Sequence, residues 1–454
     1  MEAPGRHPRS SRRQLLRGVG AVTALGAVGA GSLAARQLGG DDVDPHREIP
    51  LWSETVAYDR AAQRVLVGGR AAPLDLAPGS RLAAELPDTS PIRRRADAFS
   101  TGAADWRVAL TEHLGAEPLL LELAETALQD LWILSDDLPA PAAGWSSSWR
   151  FIWPRDAAFC AVALARIGHL DRAEEVLIHL QSLQAPDGWF EARYEPGTGK
   201  APDGRRRQFD GTGLLLWATA EVAAVAGAAD GADADGATRR EALLGRLSPL
   251  VTRSLSALRS VTRDGAGLPP VSPDYWERRE RSVTLGIMTA TLTGLRAGAQ
   301  LTGDSAARRA AETFTLLLEE TFGRNGFPRY RGGGGADSAL AFLDATGVHD
   351  VAPRAQLLGL RSELSRPGGG IAPGSAWHQD GVSWTPSTSL LALALARAGE
   401  ADAATQILRW LAEHRTAAGS LPEKVLFDGR PAEVAPLAWT AANVLLTLDE
   451  LARL

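Results

Sequence analysis

The feature that most constrains this chain is a repeated helical hairpin. Leu164-Ala-Arg-Ile-Gly-His-Leu-Asp-Arg-Ala-Glu-Glu-Val-Leu177 parallels Leu395-Ala-Arg-Ala-Gly-Glu-Ala-Asp-Ala-Ala-Thr-Gln-Ile-Leu408. Each copy reads as helix, glycine, short turn, Asp cap, helix. Leu295-Arg-Ala-Gly followed by Thr302-Gly-Asp304 is a looser third copy. The repeat is degenerate, which indicates recurring αα-hairpins rather than a regular solenoid. Apolar-periodic runs predict helices at 119–134, 156–168, 171–184, 209–228, 238–261 and 281–302. More follow at 304–322, 336–346, 354–365, 386–398, 401–415 and 434–453. Val283, Ile287, Leu292 and Leu295 fall near one helical face. Asp171 with Glu174 reads as a capping box, and Gly303 before Asp304 as a stop followed by a start. Alternating strand-like runs are nearly absent. About twelve helices in hairpins predict an all-α (α/α)6 toroid: six inner helices ringed by six outer ones. The loops at one end of the inner helices then line a pocket, and 135–155, 185–208, 262–280, 324–336, 366–385 and 416–433 supply six long ones.

The N-terminus has a different character. Ser11-Arg-Arg-Gln-Leu-Leu-Arg17, followed by a small apolar run from Val19 to Ala35, is a twin-arginine export pattern with Ser32-Leu-Ala34 as a cleavage site. Residues 1–34 are therefore expected to engage the twin-arginine translocation machinery. The rest of the chain is expected outside the cytoplasm, membrane-anchored if the signal is retained. Residues 35–110 are polar and rich in Pro and Arg, an N-terminal extension or linker ahead of a helical domain at 111–454. Within them 55–59 and 64–68 suit a short strand pair, and Pro91-Ile-Arg-Arg-Arg-Ala reads as a surface linker. The formal charge of −6 argues against a nucleic-acid partner. The lone cysteine, Cys160, rules out an internal disulfide and sits in an apolar stretch as a buried, inert thiol. No metal-ligand cluster is visible among the eight His, no cofactor is expected, and a monomer is.

Thirteen Trp against four Tyr is unusual, and at least seven of the Trp lie beside loop motifs. Trp145, Trp149 and Trp153 stand four residues apart and close on Arg155-Asp156. Flat indole faces with a planar donor fork and a carboxylate suit a pyranose ring; an aromatic core corner with a structural ion pair is the alternative. Glu277, beside Trp276, and Glu423, in Gly419-Ser-Leu-Pro-Glu-Lys-Val425, offer two carboxyls on different loops. Glycoside cleavage needs such a pair, one protonated and one ionised. Desolvation by Trp276 predicts a raised pKa for Glu277. Structural alternatives exist for each: Glu277 or Glu280 as a charge favouring a helix N-terminus, and Glu423 as a solvated partner of Lys424.

Taken in order, these motifs resemble those of the glucoamylase-like inverting glycosidases, glycoside hydrolase family 15, over about 120–454. Trp153-Pro-Arg155-Asp156 is similar to the family's Trp-x-Arg-Asp, and Gln208-Phe-Asp210-Gly211 to its second-loop Asp-Gly. Tyr275-Trp276-Glu277 resembles the general-acid motif, Leu421-Pro-Glu423-Lys-Val the general-base motif, and Ala435-Pro-Leu-Ala-Trp439 the pocket-floor segment. The resemblance implies an (α/α)6 catalytic domain acting on an oligosaccharide or α-glucan. Glu277 is its general acid and Glu423 its general base, with carboxyls roughly 6.5–9.5 Å apart. It also implies that Arg155 and Asp156 grip the terminal glucose, Trp153, Trp276 and Trp439 wall the pocket, and Trp149 and Trp384 stand at family aromatic positions. Three departures stand out: Trp149 replaces a frequent Tyr, Arg278 follows Glu277 where a second Glu is common, and the 371–384 loop diverges. Two alternatives carry other functions. A sugar-binding protein on the same fold would keep the pocket without turnover, and Gln184-Ala-Pro-Asp-Gly188-Trp189 resembles one triterpene-cyclase repeat.

Overall fold

In a computed structural model of the protein, residues 44–115, 117–228 and 234–454 are described. The proposed export signal lies outside them. Fourteen α-helices are found among the described residues. The first two, α1 (Pro91–Gly102) and α2 (Ala104–Leu114), precede the toroid. Twelve more follow as hairpins: α3 (Pro118–Ser135) with α4 (Pro154–Arg166), α5 (Leu170–Leu183) with α6 (Asp210–Ala228), and α7 (Ala234–Val261) with α8 (Leu285–Thr302). Next come α9 (Ser305–Thr321) with α10 (Ala341–Ala345), α11 (Arg354–Glu363) with α12 (Thr385–Arg397), and α13 (Ala401–Glu413) with α14 (Ala438–Leu451). All twelve expected helices are present.

The inner ring closes on itself. α4 packs on α6, α6 on α8, α8 on α10, α10 on α12, α12 on α14, and α14 back on α4. Composition explains which helices go inside. Every residue of α4 from Pro154 to Ala165 is buried, and Ala and Cys let its neighbours approach. Outer helices bury one stripe only, as in α9 with Ala307, Ala310, Ala311, Phe314 and Leu318. The tightest crossing is between α6 and α8. A Cβ on Gly213 would lie 1.9 Å from the Ala290 carbonyl oxygen, so only glycine fits. Helix α6 is long and apolar enough to cross a membrane, yet most of its surface is buried by neighbouring helices. At the far end of the ring Glu221 of α6 binds Arg166 of α4 and Arg397 of α12, both at 2.9 Å. Each arginine sits in the last turn of its helix, where the macrodipole favours a cation.

Local signals were partly as expected. Gly303 closes α8 in the left-handed region (φ 66°), and Asp304 caps α9 by accepting from the Ala306 N–H at 2.8 Å. The capping box at Asp171 is not formed. The helix starts one residue earlier with His169 as cap; Asp171 and Glu174 instead pair with Arg239 and Arg246 of α7.

The N-terminal segment also differs from a linker. The strand pair is present, β1 (Thr55–Tyr58) against β2 (Arg64–Val67), antiparallel with Thr55 opposite Val67. Pro91-Ile-Arg-Arg-Arg-Ala opens α1 rather than linking. Ser90 caps it by accepting from Ile92, and Pro91 occupies a first-turn position where no N–H is needed. The helix buries only Ile92, so its apolar period is too faint to read. Residues 44–110 pack into the same compact unit as the toroid. Ser53 donates to the Ala435 carbonyl (2.8 Å), Arg81 pairs with Asp130 (3.0 Å, both buried), and Tyr58 donates to Asp136 (2.8 Å).

Candidate active site

Six loops run from the end of an outer helix to the start of the next inner one, so all six gather at the N-terminal ends of the inner ring. Glu277 lies on the loop before α8 and Glu423 on the loop before α14. Three places separate those helices in a ring of six. The two carboxylates therefore enter from opposite sides of the same mouth.

Arg155, in the first turn of α4, organises one side. Buried to 4% exposure, it donates from Nη1 to Asp210 (3.1 Å) and Gln208 (3.3 Å), from Nε to Asp156 (3.1 Å), and from Nη1 and Nη2 to Glu277 Oε1 (3.3 Å). Its guanidinium lies 5.1 Å from the Trp439 ring. Burial disfavours its charge, but Asp156, Asp210 and Glu277 outweigh that and raise its pKa. Asp156 and Asp210 are each pushed up to about 6. Burial is the main cause for both, opposed by Arg155 and assisted by Glu277.

Glu277 occupies the left-handed region at φ 54°, with its N–H bonded to the Asp274 carbonyl at 2.8 Å. That conformation costs a non-glycine residue about 1–2 kcal/mol. Its loop is braced from behind by Arg329 on β3 (Pro328–Tyr330), which β4 (Gly333–Ala336) pairs. Fully buried, Arg329 binds Asp274 (3.1 Å), Glu280 (2.6 Å) and Asp337 (2.8 Å), and lies 3.5 Å from the Trp276 ring centroid. Glu280 is thus a buried ligand of Arg329 rather than a charge favouring a helix N-terminus; α8 starts only at Leu285. Tyr275 adds a hydrogen bond to Asp337 and another to the Pro373 carbonyl (2.9 Å).

Glu423 is the desolvated member of the pair, a reversal of the expectation for Glu277. Only 8% exposed, its Oε2 has no hydrogen-bond partner within the protein. Burial pushes its pKa up to about 7; Lys424 opposes, Glu433 adds, and the Trp149 indole N–H pulls down. Lys424 Nζ lies 3.5 Å from Glu423 and 3.1 Å from Glu433, and 4.5 Å from the Trp384 ring. Glu277, by contrast, keeps 24% of its side chain exposed and meets a second guanidinium, Arg205 Nη1, 3.5 Å from Oε2. The ring of Trp276 is covered by Arg329, which leaves it little part in drying Glu277.

The tryptophans divide. Trp276, Trp377 and Trp384 form a chain of edge-to-face contacts at 4.8 and 5.3 Å that runs from the Glu277 loop to the Glu423 loop. Strand β5 (Ser383–Trp384) pairs with β6 (Lys424–Val425), which sets Trp384 opposite Lys424. Trp439 stacks on Phe342 at the floor (6.0 Å, 22°). The indole N–H groups of Trp153, Trp276, Trp377, Trp384 and Trp439 are buried without protein acceptors. Trp145 stands apart: its N–H bonds the Arg64 carbonyl (3.0 Å) and its ring lies between Arg64 and Arg150, as packing against the strand pair. The stretch from Trp145 to Asp156 is thus part site, part structure. Trp377, Arg205, Arg329 and the Lys424–Glu433 pair were not read as site residues from sequence. Trp377 alone carried a signal, as a second tryptophan on the divergent loop.

The described residues thus form a toroid of six helical hairpins with a tryptophan-lined, carboxylate-bearing mouth. No protein-family model matches the chain, and no curated protein matches it. Solved structures do. A glycosidase in its wild-type form aligns at TM-score 0.60 and 21% identity over 74% of this chain and 98% of its own. A bacterial glucoamylase complexed with acarbose aligns at TM-score 0.58 and 16% identity, over 73% of this chain and 55% of its own. A GH63 mannosylglycerate hydrolase from Thermus thermophilus aligns at TM-score 0.51 and 15% identity, over 71% of this chain and 99% of its own. At these identities the likeness is one of fold, and the fold is theirs.

Proposed function

We propose that the chain is an exported glycoside hydrolase of glucoamylase-like type that removes a terminal α-linked glucose with inversion. The observation that carries this reading is the pair of carboxylates on opposite loops of one mouth, with Arg155 and Asp156 between them. Glu277 protonates the glycosidic oxygen as the leaving group departs. Glu423 takes a proton from the water that attacks the anomeric carbon from the other face. A base with a pKa near 7 has more drive to accept that proton than an ordinary carboxylate. Arg155 and Asp156 hold the sugar's hydroxyls, and Trp439 and Trp153 wall the pocket beside them. Each group acts by position, which accounts for the rigid bracing behind the Glu277 loop.

A glucose-type sugar is favoured because one variant of the aligned glycosidase was solved with glucose, and the glucoamylase with acarbose. Export follows from the Ser11–Ala35 pattern and suits a large folded domain without disulfides. Proton NMR of the mature protein acting on maltose, isomaltose and trehalose tests the reading. The expected first product is β-glucose. On trehalose inversion gives one β- and one α-glucose whereas retention gives two α-glucoses, so initial products free of β-glucose exclude inversion, and tight glucose binding without turnover of any glycoside indicates a sugar-binding protein instead. Glu277→Gln is expected to lower turnover by at least about a thousandfold while glucose still binds; near-normal rates on unactivated substrates remove it as the acid.

A further inference from the structure

The Glu277 side of the mouth carries several arginines, some of them without a carboxylate partner, in a chain whose formal charge is −6. Arg205 reaches Glu277 Oε2 at 3.5 Å while its Nε donates to Asp203 at 3.0 Å. Asp203 is shared with Arg193, at 2.7 Å, so one carboxylate serves two guanidiniums. Arg278, next after the candidate acid, lies 5.7 Å from the ring of Trp377. That ring stands between Trp276 and Trp384 on the pocket wall. Among the described residues Arg206, Arg278, Arg279 and Arg281 are exposed and make no ion pair. The carboxylates of the Glu277 loop cannot answer them, because Asp274 and Glu280 are both committed to buried Arg329. On the neighbouring loop Glu195 accepts from Thr198, and Asp187 pairs with Arg207.

A second geometric fact concerns Glu277 itself. Arg155 occupies its Oε1 and Arg205 its Oε2. An acid has to present one oxygen to the glycosidic oxygen. Arg155 is buried and fixed by Asp156 and Asp210, whereas the Arg205 side chain is 35% exposed. Arg205 is the contact that can yield.

We infer that the leaving-group subsite, formed by Arg205 and Arg278 against Trp377, takes an anionic aglycone, a sugar or small alcohol that bears a carboxylate or a phosphate. This rests on the glycosidase reading above. The anion gives Arg205 another partner and so frees Glu277 Oε2 to meet the scissile oxygen. Arg278 supplies the second guanidinium, and its place over the Trp377 ring, at 5.7 Å, sets it against an apolar surface where charge-assisted contacts are stronger.

Matched aryl α-glucosides test it: 4-carboxyphenyl against its neutral isostere 4-carbamoylphenyl, and 4-phosphonophenyl as the phosphate arm. Wild type is expected to favour a charged member by about tenfold or more in kcat/KM, and the preference is expected to shrink as salt rises from about 50 to about 500 mM. The arm with the larger preference identifies the anion. Arg278→Ala and Arg205→Ala are each expected to bring the ratio of charged to neutral substrate towards one. A wild-type ratio of one or less in both arms overturns the inference and leaves the glycosidase reading standing. If no glucoside turns over, competitive binding decides: preferential binding of the charged aglycones, lost in Arg278→Ala, keeps the anionic subsite and removes the hydrolase.

Discussion

Replacing Lys424 with methionine is the sharpest test of how the site sets its own protonation. Lys424 is the nearest cation to Glu423, at 3.5 Å, and each of the two side chains is only 11% exposed. A unit pair at that separation interacts by about 5 kcal/mol at an effective dielectric of about 20. Part of that attraction is shared with Glu433 at 3.1 Å, so a loss of about 1–3 kcal/mol is the reasonable expectation, or roughly 1–2 pKa units. The direction is fixed. Burial already raises the Glu423 pKa to about 7 and Lys424 opposes the rise, so its removal raises the value further, with Glu433 pushing the same way. A general base works only when ionised. In the wild type kcat/KM is expected to fall as pH drops through about 7. In Lys424→Met that limb should move up to about 8–9, with roughly 5–50-fold less activity at pH 7 and recovery at alkaline pH. The assay is kcat/KM against pH from about 5 to about 10 on one neutral glycoside. A limb that stays in place would falsify the coupling. A limb near 7 on the alkaline side instead, with activity lost as pH rises, would mean that Glu423 donates the proton and the two roles are exchanged.

Two other perturbations have definite signs. Glu423→Gln removes a carboxyl whose folded pKa, about 7, exceeds its ordinary value of 4.5; the stability tied to the protonated group is present below about 4.5 and lost as pH rises through 7. Thermal melts should therefore show the variant more stable than wild type at pH 8, by up to about 3 kcal/mol, and equal to it near pH 4; an equal difference at both pH values refutes the assignment. Arg329→Lys leaves a charge but cannot reach Asp274, Glu280 and Asp337 together, and breaking a buried ion network costs about 3–5 kcal/mol. Its kcat should drop more than KM rises, because the Glu277 loop loses its brace; unchanged kcat in the folded variant would separate Arg329 from the site.

The toroid was legible because hairpin helices announce themselves locally. Gly303 and Asp304 end one helix and start the next within two residues, and the inner helices are apolar on every side. Helix α1 was not legible, since burying Ile92 alone leaves an arginine-rich run that reads as solvent-exposed in any conformation. At the site, Arg155, Asp156, Asp210, Glu277 and Glu423 stand in motifs whose order gave them away. Their electrostatics did not follow from their neighbours in sequence. Trp276 adjoins Glu277 yet packs against Arg329, and Glu423, beside a lysine, turns out the drier carboxylate. Arg329 could not be assigned from sequence, because its partners Asp274 and Glu280 lie 55 and 49 positions away.

The N-terminal segment has a part in this that composition hid. Both backbone groups of Glu433 are bound by it: the Trp52 N–H donates to the Glu433 carbonyl at 2.7 Å, and the Glu433 N–H to the Pro50 carbonyl at 3.0 Å. Glu433 is held there at φ 68°, a conformation a free loop would shed at a gain of about 1–2 kcal/mol. Thr55 bonds Ser420 at 2.7 Å, and Thr416 donates to the Glu54 carbonyl at 2.6 Å, so the same segment fixes the other arm of the Glu423 loop. From this pose Glu433 reaches Lys424, and Lys424 reaches Glu423. Residues 50–55 therefore reach the candidate base through a chain of three contacts, by way of Glu433 and Lys424. Pro50→Gly with Trp52→Pro, which removes the Trp52 donor and loosens the clamp, should blur the hold on Lys424 and raise the Glu423 limb in the direction expected for Lys424→Met, by a smaller amount. Loss of thermal stability with the limb unmoved would show that the segment braces the fold without touching the chemistry.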